Sequence, residues 1–387
     1  MDAKDIYTQS VRNFLRPVLS LLDDPTVSEI LINGPEIIYF EKAGRLKLSE
    51  LSFVDPDVSP REEAIRRAES LLRAAATNIA EYCGRQIGGA NHSMDARLPD
   101  GSRVHIIVPP SSRSGICMSI RRFQKATFSL ESLVQWNSLT SEVAEFLRIV
   151  VRLHKNIIIS GGTGTGKTSM LNALSTAIPD HERVIVIEDS SELQLNQPHT
   201  VYLEAQSAAP DGTGQVTIRD LFVDSLRMRP DRIIVGEVRR GEALDLIQSM
   251  VSGHTGSLTT VHANTPRDAA TRLETLSLMS DVSLPVYVAR TQVASAIHLI
   301  IQIARLSDGL RRVMKITECL GLNRENEYVF EDIYQWLQTG YDSDGEIQGC
   351  LNRTGYVPSF SPEPFTHGMA EHVVETRGVF EEKACGS

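Results

Sequence analysis

Over the first 22 residues, Phe14, Leu15, Val18, Leu19 and Leu22 recur at helical spacing, and Asp23-Asp24-Pro25 closes that pattern. Val27 to Asn33 and Ile37 to Glu41 read as short strands, or as a strand after a short helix, turned at Asn33-Gly34-Pro35. Arg61 to Tyr82 sets Ile65, Ala68, Leu72 and Ala75 on one side of an amphipathic helix whose charges form a solvated face. Arg97-Leu98, Val104 to Val108 and Ile116 to Phe123 read as strand pairs. A Pro99-Asp100-Gly101 turn and a Ser- and Pro-rich loop over 109–115, expected to be mobile, separate them. Gln124 to Leu139 keeps no clean period. It is expected to link an α+β domain over 1–123 to a second domain.

That second domain, expected over 140–317, opens with a helix near Thr140 or Ser141. Glu142 and Glu145 lie in its first turn, Val143, Phe146, Leu147 and Val150 on its buried face, and Arg152, His154 and Lys155 at its cation-favouring end. Short β-branched runs follow at Asn156 to Ser160, Val184 to Ile187, Ile233 to Val235, Leu258 to Val261 and Ile297 to Ile303. Helical patterns such as Ile218 to Arg227 and Gly241 to Val251 lie between them. Continuous apolar runs alternating with helices predict an α/β domain built on a mostly parallel sheet buried on both faces. Beyond Thr317 come Tyr328 to Ile333, a turn at Asp342-Ser343-Asp344-Gly345, and Pro358, Pro362 and Pro364. Residues 318–387 are expected to form a loosely packed extension with a disordered end.

Composition adds the setting. A chain of 387 residues suits two domains and a tail, and 41% hydrophobic with 23% charged residues is ordinary for a globular protein. The longest apolar stretch, Ala296 to Ala304, is too short to span a membrane. Asp2, Lys4 and Asp5 precede no apolar core of a signal peptide, so a cytoplasmic location is expected. The five cysteines include no CxxC pair, which argues against a zinc knuckle or a disulfide framework. A net charge of −10 argues against a dedicated nucleic-acid binder.

Chemistry concentrates in four places. Gly161, Gly162, Thr163, Gly164, Thr165, Gly166, Lys167, Thr168 and Ser169 lie between an apolar run and a helical pattern carrying Leu171, Leu174 and Ile178. In that context the glycines let backbone N–H groups surround a polyphosphate, Lys167 reaches its β- and γ-phosphates, and Thr168 offers a hydroxyl to Mg²⁺. An ordinary glycine-rich turn is the bland alternative, and the flanking strand and helix weigh against it. The runs Val184 to Ile187 and Ile233 to Val235 end in acids, Glu188 and Asp189 with Glu192 beyond, and Glu237. Carboxylates at the ends of buried strands hold Mg²⁺ through water or orient an attacking water, although a surface acid cluster looks the same in sequence. His254 and His262 flank a hydroxyl-rich strand with no third soft ligand nearby; beside a γ-phosphate such imidazoles can donate hydrogen bonds. Arg103, Arg121 and Arg122 sit on or beside the early strands, where arginines on a sheet edge are usually structural.

Together and in this order, Gly161–Thr168, Glu188–Glu192, Ile233–Glu237 and Gly253–His262 resemble the Walker A, Asp box, Walker B and His box of the secretion (traffic) ATPase superfamily. The resemblance is nearer to the CpaF-type ATPases of the Tad (Flp) pilus. It extends through Asp24–Ile30, Asp95–Val104, Leu226–Arg232, Val261–Asp268 and Gly349–Phe360. It implies a RecA-like P-loop domain preceded by a smaller α+β domain, and a hexameric ring with ATP and Mg²⁺ between them. It also implies that Arg103, Arg121 and Arg122 approach the phosphates, with Glu237 the main catalytic carboxylate. Glu188 assists at the Mg²⁺ or water, His262 acts at the reacting phosphate, and Asp189, Glu192 and His254 complete the nucleotide site. The implied partners are inner-membrane platform proteins, with the protein itself cytoplasmic and peripheral at the inner membrane and no nucleic acid expected. A type IV secretion ATPase of the same superfamily, a RecA-like nucleic-acid translocase and a nucleotide-binding scaffold are the alternatives. Two departures stand out: Arg240 follows the Walker B strand where relatives tend to carry a small residue, and the N-terminal region is expected to lack the long leading extension of many Tad ATPases. The lack of a cysteine cluster sets the chain apart from the zinc-bearing type II branch.

Overall fold

The computed structural model describes residues 3–42, 44–89, 91–122, 128–206, 208, 212–342 and 345–381. The chain forms two compact units, Met1–Ala126 and Thr127–Ser387.

In the first unit, the expected opening helix is cut into α1 (Ala3–Phe14), a 3-10 turn (Arg16–Val18) and α2 (Leu19–Asp23). Pro17 is the cause, since it supplies no N–H and its ring crowds the preceding turn. Leu15, Val18 and Leu22 are buried nonetheless. Strands β1 (Val27–Asn33), β2 (Ile37–Lys42) and β3 (Arg45–Leu48) precede α3 (Arg61–Tyr82); β4 (Ser93–Arg97), β5 (Arg103–Ile107) and β6 (Cys117–Arg121) follow it. They form one antiparallel sheet in the order β3-β2-β1-β6-β5-β4. Ala64, Ala68, Leu72 and Ala75 of α3 share a core with Ile30, Ile32, Ile106 and Ile120, or pack beside it. Ala64 takes the buried place expected of Ile65, which is only partly covered. Register places Arg97, Arg103 and Arg121 side by side across β4, β5 and β6, with Glu29 next in the same row.

The second unit begins with α4 (Leu130–Gln135), inside the stretch read as a linker. A reciprocal Ser129–Ser132 capping box starts this helix, and Leu130 and Leu133 enter the core. Six residues are too few to display a period. Helix α5 (Ser141–Arg152), capped by Thr140, leads into β7 (Ile157–Ser160) and α6 (Lys167–Ser175). After these come β8 (Val184–Glu188), β9 (Thr200–Glu204), α7 (Ile218–Ser225), β10 (Arg232–Val235), α8 (Glu242–Val251), β11 (Leu258–Val261), α9 (Pro266–Leu278), α10 (Val286–Ala296) and β12 (Leu299–Arg305). The six strands β12-β7-β11-β10-β8-β9 run parallel in that order. Alternate residues fill opposite layers: Ile157, Ile159, Val184, Val186 and Ile234 face one core, and Ile158, Ile185, Ile187, Ile233 and Val235 the other. That is why each run is apolar without alternation.

The C-terminal part departs from expectation. β13 (Arg311–Leu322), β14 (Tyr328–Tyr341) and β15 (Ile347–Arg353) extend the same sheet antiparallel beyond β12, so the boundary drawn at Thr317 falls inside a strand. After the short α11 (Glu363–Thr366), Phe360, Val373, Val379 and Phe380 are buried in the core of α5 and the sheet. The segment is not loosely packed. Ser343, Asp344 and residues 382–387, where a turn and a disordered end were expected, lie outside the described residues.

Candidate active site

The parallel sheet delivers β7, β11, β10 and β8 to one carboxyl-terminal edge, where open α/β sheets bind ligands. The loop 161–166 turns from the end of β7 into α6. Gly164 and Gly166 adopt φ of +71° and +95°, and Gly166 stands at the helix N-cap, a conformation that costs other residues strain. Gly161 is required for another reason: a Cβ there would lie 2.5 Å from Thr165 Oγ1 and 2.8 Å from the Ile303 carbonyl oxygen. Lys167 is buried against the loop, its Nζ donating to the Gly161 carbonyl at 3.1 Å and the Gly162 carbonyl at 2.9 Å.

The same ammonium lies 3.3 Å from His262 Nδ1, and His262 Nε2 lies 2.9 Å from Glu237 Oε1. One tautomer serves both contacts: Nδ1 accepts from Lys167, and Nε2–H donates to Glu237. Burial and the neighbouring Lys167 push the imidazole below its ordinary pKa, outweighing the pull of Glu237, so it is neutral near pH 7. Glu237 also accepts from Arg239 Nη2 at 2.7 Å, and Arg239 Nη1 reaches Asp189 at 3.2 Å. Glu188 is buried, its Oε1 accepting from the backbone N–H of Glu192 at 2.9 Å and of Leu193 at 3.0 Å. Thr168 Oγ1 donates to Glu192 Oε2 at 3.0 Å.

Lys167, Thr168, Glu188, Asp189, Glu192, Glu237 and His262 therefore meet on one edge. His254 does not. It precedes β11 whereas His262 follows it, so the length of the strand separates them. Arg103, Arg121 and Arg122 belong to the first unit; Arg122 Nη1 donates there to the Asp24 carbonyl. Two participants carried no sequence signal. Arg239, rather than the flagged Arg240, bridges the carboxylates. Arg311 reaches the loop from β13, Nε donating to the Gly164 carbonyl at 2.9 Å. Strand-end arginines are common, and only the sheet order brings this one to the loop.

The donors fit Mg²⁺ in kind, being a hydroxyl and carboxylates, hard oxygen ligands. Among the described residues no group of three His, Cys, Asp or Glu side chains is arranged to hold a metal by itself. Such a donor set suits an ion held mainly by phosphate oxygens and water.

A glycine loop between a buried parallel strand and a helix, facing strand ends tipped with acids, defines a P-loop NTPase of RecA-like architecture. Residues 13–334 match the family described as Type II/IV secretion system protein, and the chain belongs to that family. A putative conjugal transfer protein of Mycobacterium tuberculosis is 34% identical over 308 residues, covering 78% of this chain and 82% of the relative. The type IV secretion system protein PtlH of Bordetella pertussis is 32% identical over 327 residues, covering 77% of this chain and 91% of the relative. The X-ray structure of the ATPase DotB of Legionella pneumophila shares the fold with a TM-score of 0.51, at 18% identity and over 81% of this chain and 82% of that one. Family and site together make the chain a secretion-system ATPase of the type II/IV class. Among the described residues no helix is long and apolar enough to cross a membrane.

Proposed function

We propose that the chain hydrolyses Mg²⁺-ATP to drive assembly of a pilus of the Tad (Flp) type. It would work as a hexameric ring at the periphery of an inner-membrane platform. The observation that carries the catalytic part is the continuous contact from Lys167 through His262 to Glu237, beside the buried Glu188. Lys167 exchanges the loop carbonyls for the β- and γ-phosphates. Bound Mg²⁺ would be held by Thr168, with Glu192, Glu188 and Glu237 acting on its water shell, and would neutralise charge on the transferred phosphoryl group. Glu237 orients the attacking water and takes its proton. His262, neutral and donating through Nε2, fixes the Glu237 carboxylate and registers loss of the γ-phosphate through Lys167.

Arg103, Arg121 and Arg122 are proposed, on the resemblance, to supply positive charge to the transition state and to couple hydrolysis to domain closure. Their support in this chain is the row that Arg97, Arg103 and Arg121 form across three strands. Lys167→Ala is expected to lose ADP binding and turnover, whereas Glu237→Gln should bind ATP normally and hydrolyse it at least a hundredfold more slowly. Normal turnover by Glu237→Gln would remove Glu237 from its role. Native mass spectrometry with nucleotide tests the ring.

A second reading, export by a type IV secretion system, is favoured by the relatives' names, one a conjugal transfer protein and one a type IV secretion protein. Co-purification of the tagged protein with pilus platform proteins, rather than with conjugation components, separates the two.

A further inference from the structure

The acid-tipped ends of β8 and β10, and His262 beyond β11, all stand on one side of the phosphate loop, because these strands lie to one side of β7 in the sheet. The other side is bounded by the hairpin of β12 and β13. There Ile303 presses its carbonyl against Gly161, and the Cδ of Arg311 would lie 3.2 Å from a Cβ placed on Gly166. Arg311 is exposed, yet its root is fixed: its carbonyl accepts from Ser138 Oγ at 2.9 Å. Arg305 is its partner directly across the hairpin, and the turn between them exposes Leu310. The guanidinium thus lies on the outer rim of the loop, anchored at both ends of its stem.

Geometry then constrains a bound nucleotide. A nucleotide whose γ-phosphate is directed at Glu237 would carry its ribose and base off the opposite side of the loop, over the hairpin. We propose that Arg311 is a nucleotide-binding residue that recognises the nucleoside end, its guanidinium plane stacking on the base while Nε keeps its bond to Gly164. This assignment rests on the reading of 161–168 as the nucleotide loop. Arginine suits the task because its delocalised cation is planar, weakly hydrated and attracted to aromatic faces. Arg305, its cross-strand neighbour, adds positive potential beside it.

The test is isothermal titration of the full chain and of Arg311→Ala and Arg311→Lys with two probes, ADP and inorganic tripolyphosphate, alongside steady-state kinetics. Loss of one base-stacking contact should weaken ADP binding about tenfold in Arg311→Ala. Tripolyphosphate, which has no base, should bind within twofold of wild type. KM for ATP should rise with kcat nearly unchanged, and Arg311→Lys should fall between. Unchanged ADP affinity in Arg311→Ala would overturn the assignment. So would equal weakening of both probes, which marks a role in shaping the loop alone. If wild type bound neither probe, the nucleotide-loop reading itself would fall with it.

Discussion

At Gly236 the fold needs a residue without a side chain. A Cβ at this position would lie 2.9 Å from Glu188 Cγ and 3.2 Å from its Oε1, so only glycine lets the ends of β8 and β10 present their acids together. The Glu188 carboxylate has little room to yield, since the N–H groups of Glu192 and Leu193 already fix it. Gly236→Ala is therefore expected to lower kcat tenfold or more through a displaced Glu188. Overpacking of this kind costs only about 1–2 kcal/mol of stability, and ADP affinity should hold. Stopped-time phosphate release beside ADP titration measures both, and unchanged kcat would show that the placement of Glu188 is dispensable. At this scale the sequence was informative where chemistry is contiguous. Lys167 and Thr168 follow from their own loop, Glu188 from directly following an apolar run, and Glu237 from standing one glycine beyond another. His254 was misplaced because a strand flanked by two histidines does not say which one shares an edge with the glycine loop. Arg239 and Arg311 were invisible because their partners lie on other strands.

Among the elements, the C-terminal segment shows what a period-based reading overlooks. Its prolines and polar residues suggested loose packing, yet charged side chains on earlier elements fasten it. Glu145 of α5 accepts from the N–H groups of Val374, Glu375 and Thr376 at 2.8, 3.0 and 3.1 Å and from the Thr376 hydroxyl at 2.6 Å. Glu318 of β13 accepts from Tyr356 OH and from Ser359, and Glu363 pairs with the buried Lys155 at 2.7 Å. Phe380 then stacks on Phe146 at 5.4 Å between centroids. These bonds span up to 231 residues, and no local pattern announces them. Helices α5 and α6 and the parallel strands, by contrast, were legible because their burial is periodic or continuous along the chain itself. Glu145→Ala should release the segment at a cost of about 2 kcal/mol, the buried Thr376 losing a charge-assisted acceptor. Hydrogen exchange would register this as lost protection at the amides of 374–376, with the amides of β7 unaffected. Retained protection at 374–376 would mean that packing around Phe380, not Glu145, holds the strap.

For the whole molecule, stability should depend on pH through the sheet edge opposite the active site. There Asn156 joins three strand starts: its side chain donates to the Ala296 carbonyl at 2.8 Å and accepts from the Ser257 N–H at 3.2 Å, while its own N–H donates to His298 Nδ1 at 2.9 Å. That last bond requires an unprotonated Nδ1. Burial first, and then the nearby Lys155, hold the His298 pKa down to about 4, against a smaller opposing pull from Glu363. The folded state therefore binds fewer protons than the unfolded one between pH 6.5 and about 4. The contribution is intact above pH 6.5 and declines as pH falls, being exhausted once His298 itself protonates near 4. After allowance for its partial exposure, the loss amounts to about 2 kcal/mol. His298→Gln keeps an acceptor for the Asn156 N–H but does not titrate. Urea unfolding of both proteins at pH 7.5 and pH 4.5 should show wild type losing more stability than the variant by about that amount, the common loss coming from carboxylates. Equal losses would mean that His298 accepts its proton without breaking the junction, and that the three strand starts are held by the Asn156 side chain alone.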